Sequence, residues 1–281
     1  MPCATHRGDA VSRPGGPEAG RVALVTGAAR GIGAATVRAL ADDGWRVLAV
    51  DLAAPESALP YPLGSQEDLA AVVAAASGGP GEVAGFAADV RDPAAMDSAV
   101  AGAEYRWGGL DAAIACAGVI AGGRKQWDVP RDQEQAVLDI DLGGVLNLAR
   151  AAVPALLRRP QPRSGRFLAI SSAAATRGLP MLAAYCAAKA GVAGLIRALG
   201  VELGDTGVTA NAVSPGSTAT AMLDESARLY GLTGAADFAH SQPMGRVLDP
   251  AEVAAVLAFL AGPGSSGMTG AVVPVDGGLA L

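Results

Sequence analysis

Short apolar segments alternate with helical segments from residue 21 to the C-terminus, and this alternation limits the fold more than any other feature of the sequence. Each apolar segment is about five or six residues long and is bounded by turn residues, which is typical of a buried strand. The seven predicted strands are residues 21–26, 45–50, 83–88, 110–115, 166–170, 208–213 and 271–275. The predicted helices are residues 32–43, 66–77, 93–106, 132–158, 183–203 and 250–261. Because parallel strands are joined through helices by right-handed crossovers, the pattern predicts an α/β fold, a doubly wound, seven-stranded, mainly parallel sheet with helices on both faces.

The composition favours a single domain over residues 21–281. Of the 281 residues, 51% are hydrophobic and only 4% are aromatic, which suits helices packed on buried strands. Residues 1–20 mix Pro, Gly, Arg and small polar residues without the apolar stretch of a secretory signal, so we expect a disordered tail. No later segment has the roughly 18 uninterrupted apolar residues of a membrane helix, and we therefore expect a soluble protein.

Charge and the rarer residue types exclude several kinds of partner. A net charge of −6, from 21 basic and 27 acidic residues without a basic run, argues against nucleic acid and favours a small molecule. Cys3, Cys116 and Cys186 are scattered and odd in number, which fits a reducing compartment, so we expect a cytoplasmic protein. His6 and His240 are the only histidines, and the sequence therefore offers neither a zinc site nor a Ser-His-Asp triad; we expect no metal.

Two connections are longer than the usual two to six residues or so of such folds. Residues 52–65 follow the second strand and contain Tyr61 among several prolines, whereas residues 217–248 are rich in apolar side chains. Ligands of open α/β sheets lie at the carboxyl ends of the strands, so both connections are candidates to border one crevice, the first near a cofactor and the second around a substrate. The alternative for both is ordinary surface decoration.

A glycine-rich loop follows the first strand and opens the first helix. Gly27, Gly31 and Gly33 at these positions permit a sharp turn and a close approach of backbone N–H groups to a pyrophosphate, which is typical of a Rossmann dinucleotide site. Asp51 ends the second strand, where a carboxylate accepts hydrogen bonds from ribose hydroxyls and repels a 2′-phosphate, so NAD is favoured over NADP. Arg30 in the loop is a possible phosphate partner instead, but no basic residue follows Asp51.

A second constellation follows the fifth predicted strand. Tyr185 and Lys189 are four residues apart in a helical pattern and therefore share one face, with Ser172 thirteen residues before Tyr185. An adjacent ammonium favours the phenolate, so we expect Lys189 to bring the pKa of Tyr185 from its ordinary value of about 10 toward working pH. Neighbouring strand residues face opposite ways, and the spacing selects Ser172 rather than Ser171.

With three further motifs, residues 116–118, 211–216 and 276–278, the order of these features resembles the short-chain dehydrogenase/reductase family from about residue 21 to the C-terminus. The resemblance implies that Tyr185 transfers a proton to or from the substrate oxygen, that Lys189 assists it, and that Ser172 hydrogen-bonds the reacting oxygen. It also implies a homotetramer built through the two long helices. The cofactor-binding residues that it implies are Gly27, Arg30, Gly31, Ile32, Gly33, Asp51, Asp89, Val90, Ala117, Gly118, Tyr185, Lys189, Pro215, Gly216, Thr218 and Thr220.

Two residues depart from the family pattern. Cys116 stands where the family has an asparagine after the fourth strand, and a thiol is a weak hydrogen-bond donor. Asp141 occupies the position of the asparagine that completes the catalytic group. A carboxylate accepts but does not donate hydrogen bonds. Three interpretations follow: Asp141 anchors a water, it pairs with Lys189, or it marks a weakened or inactive enzyme.

Within the family, residues 22–33, 59–63, 117–124 and 212–222 resemble the mycofactocin-coupled branch. That resemblance implies an insert that keeps NAD from exchanging and a peptide-derived carrier, mycofactocin, that reoxidises it. The leading hypothesis is an NAD-dependent dehydrogenase for a hydrophobic secondary alcohol. The alternatives are a ketone or 3-oxoacyl reductase with exchangeable cofactor, and an NAD-binding protein without catalysis.

Overall fold

The computed structural model describes residues 20–52, 54, 56 and 58–281. The expectation of a disordered tail therefore falls almost wholly outside the described residues. All seven predicted strands are present, and their bounds are β1 Val22–Thr26, β2 Arg46–Asp51, β3 Glu82–Ala87, β4 Ala112–Ala115, β5 Arg166–Ile170, β6 Thr209–Pro215 and β7 Val272–Val275. They form one sheet in the order β3-β2-β1-β4-β5-β6-β7, and each pair of neighbours is parallel. The prediction of a doubly wound α/β fold is confirmed.

Helices cover both faces of this sheet and give it two hydrophobic cores. The helices are α1 Gly31–Asp42, α2 Gln66–Ala76, α3 Pro93–Trp107, α4 Arg131–Leu138, α5 Gly144–Arg158, α6 Ala183–Glu202, α7 Ala221–Tyr230 and α8 Pro250–Ala261. One core packs α1, α2 and α8 against the sheet, and the other packs α3, α5 and α6. Central strands such as β1 and β4 are buried at every residue and are almost entirely apolar, which made them recognisable in the sequence. The edge strand β3 is partly exposed.

Two predicted elements differ from the structure. The single helix predicted at 132–158 is interrupted by a π-helical turn at Asp139–Gly143, between α4 and α5. At its end Gly144 packs against Val90, where an added Cβ would approach Val90 Cγ2 to 2.6 Å. The connection 217–248 contains α7, whose first turn is capped by the Thr220 hydroxyl accepting the Leu223 N–H. Its apolar residues therefore belong partly to an amphipathic helix.

Two helical stretches are long and apolar enough to cross a membrane, namely Arg131–Arg158 and Ala183–Glu202. Core helices of globular proteins meet the same requirement. Leu148 in the first stretch and Ile196 in the second are fully buried against the rest of the fold. These stretches are the helices that cover one face of the sheet.

Candidate active site

The carboxyl ends of the strands open into one crevice that brings together nearly all the residues singled out in the sequence. Its walls include the glycine loop, Asp51, Asp89, Ser172, Tyr185 and Lys189. The two long connections border it as well, through Tyr61 of the 52–65 insert and Met222 of α7. The expectation that both connections reach the same crevice agrees with this arrangement.

Ser172, Tyr185 and Lys189 meet at the base of the crevice. Ser172 follows β5, and its hydroxyl is close enough to the Tyr185 phenol to lower the pKa of Tyr185. The Lys189 ammonium lies 5.6 Å from the centroid of the Tyr185 ring, as positions i and i+4 of α6 require. Ser171 is turned away, since its buried hydroxyl donates to the Lys189 carbonyl at 3.0 Å. The structure thus brings Ser172, rather than Ser171, to the phenol.

The pKa of Tyr185 does not follow the sequence expectation. Burial raises the pKa of Tyr185 above its ordinary value of 10.0, and the Asp141 carboxylate adds to the increase. The Lys189 ammonium and the Ser172 hydrogen bond lower it, but they do not outweigh burial. The expected direction of the Lys189 contribution is right, whereas the expected net lowering of the pKa is wrong because the phenol is removed from water.

Asp141 pairs directly with Lys189. The π-helical turn directs the carboxylate into the protein, where it is fully buried and lies 3.0 Å from Lys189 Nζ through Oδ2. Its Oδ1 accepts the Val119 N–H at 2.8 Å. Gly118 makes room for the pair, because a Cβ there would lie 3.3 Å from Asp141 Oδ2 and 3.4 Å from Lys189 Nζ. Of the three interpretations of Asp141, the geometry favours pairing with Lys189.

Backbone segments pack so closely at the glycine loop that a side chain would not fit at Gly27 or Gly33. A Cβ on Gly27 would lie 2.6 Å from the Ala117 nitrogen, and a Cβ on Gly33 would lie 2.0 Å from the Gly27 oxygen. Gly27 and Gly31 also have positive φ angles of 67° and 57°. The N-terminus of α1 carries no side-chain cap, as is also the case for α4, α5 and α6. Uncapped N–H groups at a helix start suit the charge of a pyrophosphate, so the loop fits a dinucleotide.

Gly33→Ala is expected to lower the free energy of unfolding by about 1–3 kcal/mol, because the methyl group forces the loop away from the start of α1. Nucleotide binding should weaken with it. Gly102→Ala is the matched control, because its added Cβ would make only an ordinary contact at 3.8 Å with Phe86. As a glycine replaced inside α3, it should raise stability by about 1 kcal/mol. Urea unfolding of both variants measures the difference, and equal stabilities would contradict the close packing.

The polar residues beyond the glycine loop are held by specific partners. Asp51 Oδ2 accepts the Ala29 N–H at 2.9 Å, which ties the end of β2 to the loop. Arg30 donates to the Pro62 carbonyl at 2.9 Å. Asp89 is engaged by the Arg91 guanidinium, at 2.6 Å for its shortest contact. These residues, with Val90 and Ile32, line the crevice.

The end of β6 and the segment that follows it form another part of the crevice wall and reach the glycine loop, since an added Cβ on Gly31 would lie 3.1 Å from Thr220 Cγ2. Pro215, Gly216, Thr218 and Thr220 all line it. Gln242 was not anticipated from the sequence. Its Oε1 accepts the Ser217 N–H at 2.7 Å, and an added Cβ on Gly216 would lie 2.2 Å from the same oxygen. No sequence pattern marks Gln242, because it reaches Gly216 and Ser217 from 25 residues further along the chain.

Other residues of the sequence motifs stabilise the fold around the crevice. Asn211 joins β6 to the segment before β7 by donating to the Met268 carbonyl and accepting the Ala271 N–H. Asp276 accepts the N–H groups of Gly278 and Ala280 and holds the C-terminal turn. Burial raises the pKa of Cys116 to about 12, so this thiol stays protonated beside the glycine loop. In the part of the chain that the structure describes, no group of three potential ligands is placed to hold a metal ion.

Comparisons with known proteins agree with this architecture. A family model described as enoyl-(acyl carrier protein) reductase matches residues 27–280. The short-chain reductase protein NovJ of Streptomyces niveus is 38% identical over 266 residues, which is 92% of this chain and 93% of NovJ. An uncharacterized NAD-dependent oxidoreductase of Mycobacterium tuberculosis is 34% identical and covers 95% of this chain and 98% of its own.

A solved structure shows the same likeness in three dimensions. Carveol dehydrogenase from Mycobacterium avium, determined in complex with NAD, superposes with a TM-score of 0.88 at 34% identity, covering 94% of this chain and 99% of its own. The motifs, the fold and these relatives agree: the chain belongs to the short-chain dehydrogenase/reductase family of oxidoreductases.

Proposed function

We propose that this protein is an NAD-dependent oxidoreductase that interconverts a hydrophobic secondary alcohol and its ketone, and that it keeps its NAD bound between turnovers. The observation that carries the proposal is the 52–65 insert, whose residues Tyr61, Leu63 and Gly64 line the crevice together with an apolar wall near Tyr185. The likeness to a carveol dehydrogenase with bound NAD supports it.

The wall next to Tyr185 and Ser172 is apolar. It is formed by Ile120, Leu179, Leu182, Met222, Tyr230 and Phe238. Tyr230 fixes one side of this wall, because its hydroxyl donates to the Pro180 carbonyl at 2.8 Å. Such a wall binds a hydrocarbon skeleton by burying its surface, while Ser172 and Tyr185 recognise one oxygen.

The residues at the base of the crevice divide the chemistry between them. Bound NAD supplies the hydride acceptor. Tyr185 Oη takes the proton of the alcohol, Ser172 hydrogen-bonds the same oxygen, and Lys189 faces the phenol as its nearest cation. Asp51 at the end of β2 favours NAD over its 2′-phosphorylated form, because its carboxylate repels a phosphate there.

The insert is attached to the crevice at three places. Tyr61 Oη accepts the Ile120 N–H at 2.8 Å, and the Pro62 carbonyl accepts from Arg30 at 2.9 Å. Glu56 forms an ion pair of 2.6 Å with Arg91. These contacts join the insert to the segments after β1, β3 and β4, and we expect a bound dinucleotide to leave only when several of them break. The proposal therefore includes mycofactocin as the carrier that reoxidises the bound cofactor, in line with the branch that the sequence resembles.

Nucleotide content tests the retention of NAD. The purified protein is washed extensively and heat-denatured, and the supernatant is analysed by mass spectrometry. We expect nearly one NAD per chain. Little or no nucleotide would contradict retention and favour the reading as a ketone or 3-oxoacyl reductase with exchangeable cofactor.

Tyr61→Phe is expected to lower the nucleotide retained after washing, because it removes the acceptor for the Ile120 N–H while keeping the ring. Tyr105→Phe is the matched control, since the Tyr105 side chain is 96% exposed. The half-time of NAD loss during dialysis measures the effect, and we expect it to shorten about tenfold for the loss of one hydrogen bond of roughly 1.4 kcal/mol. Identical half-times for the two variants would show that the 52–65 insert does not hold the nucleotide.

The proposal also places the protein in the cytoplasm as a homotetramer, with one domain from residue 21 to residue 281. The two long helices, α5 and α6, expose apolar side chains that suit an interface, with Leu146 at 42% and Val201 at 83% exposure. Light scattering coupled to size-exclusion chromatography measures the mass, and a monomer would contradict the assembly.

A further inference from the structure

Asp141 places a carboxylate in the catalytic group at the position where the family has a neutral asparagine. Its carboxylate and the Lys189 ammonium are both almost completely buried and lie 3.0 Å apart. Lys189 Nζ also lies 3.3 Å from the Ile170 carbonyl, to which it donates. The ammonium therefore donates one hydrogen bond to Ile170 and is attracted to the Asp141 carboxylate as an ion pair. Lys189 is thus held in place by acceptors on β5 and on the π-helical turn.

The pair leaves the base of the crevice without a net positive charge. An amide at position 141 would leave the Lys189 charge unbalanced, and that charge would stabilise the Tyr185 phenolate more strongly. The carboxylate instead repels the phenolate. Lys189 therefore favours the Tyr185 phenolate, whereas Asp141, by pairing with Lys189, disfavours it.

Three other titratable groups lie near the Tyr185 phenol or its charged neighbours Asp141 and Lys189. Cys186 lies on α6 beside Tyr185, Cys116 faces Lys189 from the end of β4, and Tyr61 faces Asp141 from the insert. Burial raises the pKa of Cys116 to about 12 and raises the pKa of Tyr61 as well, so both are neutral at working pH. Arg30 and Glu225 act on Tyr61 with opposite signs.

We propose that Asp141 is a positioning residue that fixes Lys189 as a charge-paired ammonium, and that this pairing makes proton removal by Tyr185 require more alkaline conditions than the family's amide would. The expected change in the pH dependence of alcohol oxidation rests on the proposed function. The expected change in the ionisation of Tyr185 does not depend on that function.

Asp141 and Lys189 act on each other's pKa with the signs expected of an ion pair. Burial opposes the charged form of Lys189, but the Asp141 carboxylate and the Tyr185 phenol hold the pKa of Lys189 above its ordinary value. Burial raises the pKa of Asp141, and Lys189 and the Val119 N–H oppose that increase. Burial and the Asp141 charge together raise the pKa of Tyr185.

The test compares Asp141→Asn with the natural protein. Asp139→Asn is the matched control, because Asp139 lies in the same π-helical turn but is bonded to Gln135 at 2.6 Å. Tyrosinate absorbance is recorded after rapid pH jumps, and the signal of the corresponding Tyr185→Phe protein is subtracted from each. All proteins are brought to the same measured nucleotide content.

We expect Tyr185 in Asp141→Asn to ionise about one pH unit lower than in the natural protein, a tenfold change in proton activity. The alkaline rise of alcohol oxidation should move by the same amount, and Asp139→Asn should match the natural protein. Superimposable titrations, or a shift to higher pH, would overturn the inference. If Asp141→Asn does not fold by circular dichroism, Asp141→Ser takes its place with the same expected direction.

The two readouts separate this inference from the proposed function. A lowered ionisation without turnover of any alcohol leaves the role of Asp141 intact and contradicts the function. Turnover without a shift contradicts the role of Asp141 and leaves the function intact.

Discussion

Tyr185→Phe is expected to lower the rate of alcohol oxidation by about 10²–10⁴-fold, the usual contribution of a positioned proton acceptor. The substitution keeps the ring that packs in the core and removes only the phenolic oxygen beside Ser172. The rate is measured in a single turnover with saturating alcohol, so that binding and product release do not enter. Nucleotide content and thermal stability should stay near those of the natural protein.

Tyr105→Phe provides the control for this variant, since it makes the same chemical change at a fully exposed position. It should leave the rate unchanged. Near-full turnover by Tyr185→Phe would contradict the proton-transfer role of Tyr185.

Lys189→Met is expected to lower the free energy of unfolding by about 3–5 kcal/mol, because it leaves the Asp141 carboxylate buried without its cation. Burial already raises the pKa of Asp141. The folded variant therefore binds the Asp141 proton more tightly than the unfolded chain does. Its stability should fall as pH rises above the ordinary carboxyl pKa of 3.8. Urea unfolding at several pH values measures both effects.

The double variant Lys189→Met with Asp141→Asn should recover most of that loss, because it removes the uncompensated charge. Asp139→Asn combined with Lys189→Met serves as its control and should recover nothing. A loss below about 1 kcal/mol in the single variant, the size of an exposed pair, would contradict a buried ion pair.

The sheet could be predicted because each strand is recognisable from a few consecutive residues of its own. A parallel strand covered on both faces must be largely apolar, and central strands such as β1 and β4 met that requirement. The glycine loop was equally recognisable, since Gly33 is confined by the backbone oxygen of Gly27 and no larger residue fits. Strand alternation indicated that only one of Ser171 and Ser172 could serve, and the spacing from Tyr185 selected Ser172.

What the sequence did not reveal depends on contacts between distant segments. The π-helical turn at Asp139–Gly143 leaves no mark in hydrophobic periodicity, yet it directs Asp141 into the protein. The bond from the Ile120 N–H to Tyr61 spans 59 residues. The raised pKa of Tyr185 reflects burial by several elements, which the spacing from Lys189 alone could not show.

The most direct test of the proposed oxidoreductase is to add a hydrophobic secondary alcohol, with carveol as the first probe, to the washed protein without added nucleotide. The near-ultraviolet absorbance of reduced nicotinamide is followed with time. We expect one burst equal to the bound NAD, slowed about 10²–10⁴-fold in Tyr185→Phe and unchanged in Tyr105→Phe. No burst with any secondary alcohol, although bound oxidised NAD is confirmed by mass spectrometry, or an equally fast burst in Tyr185→Phe, would contradict the proposed oxidation through Tyr185.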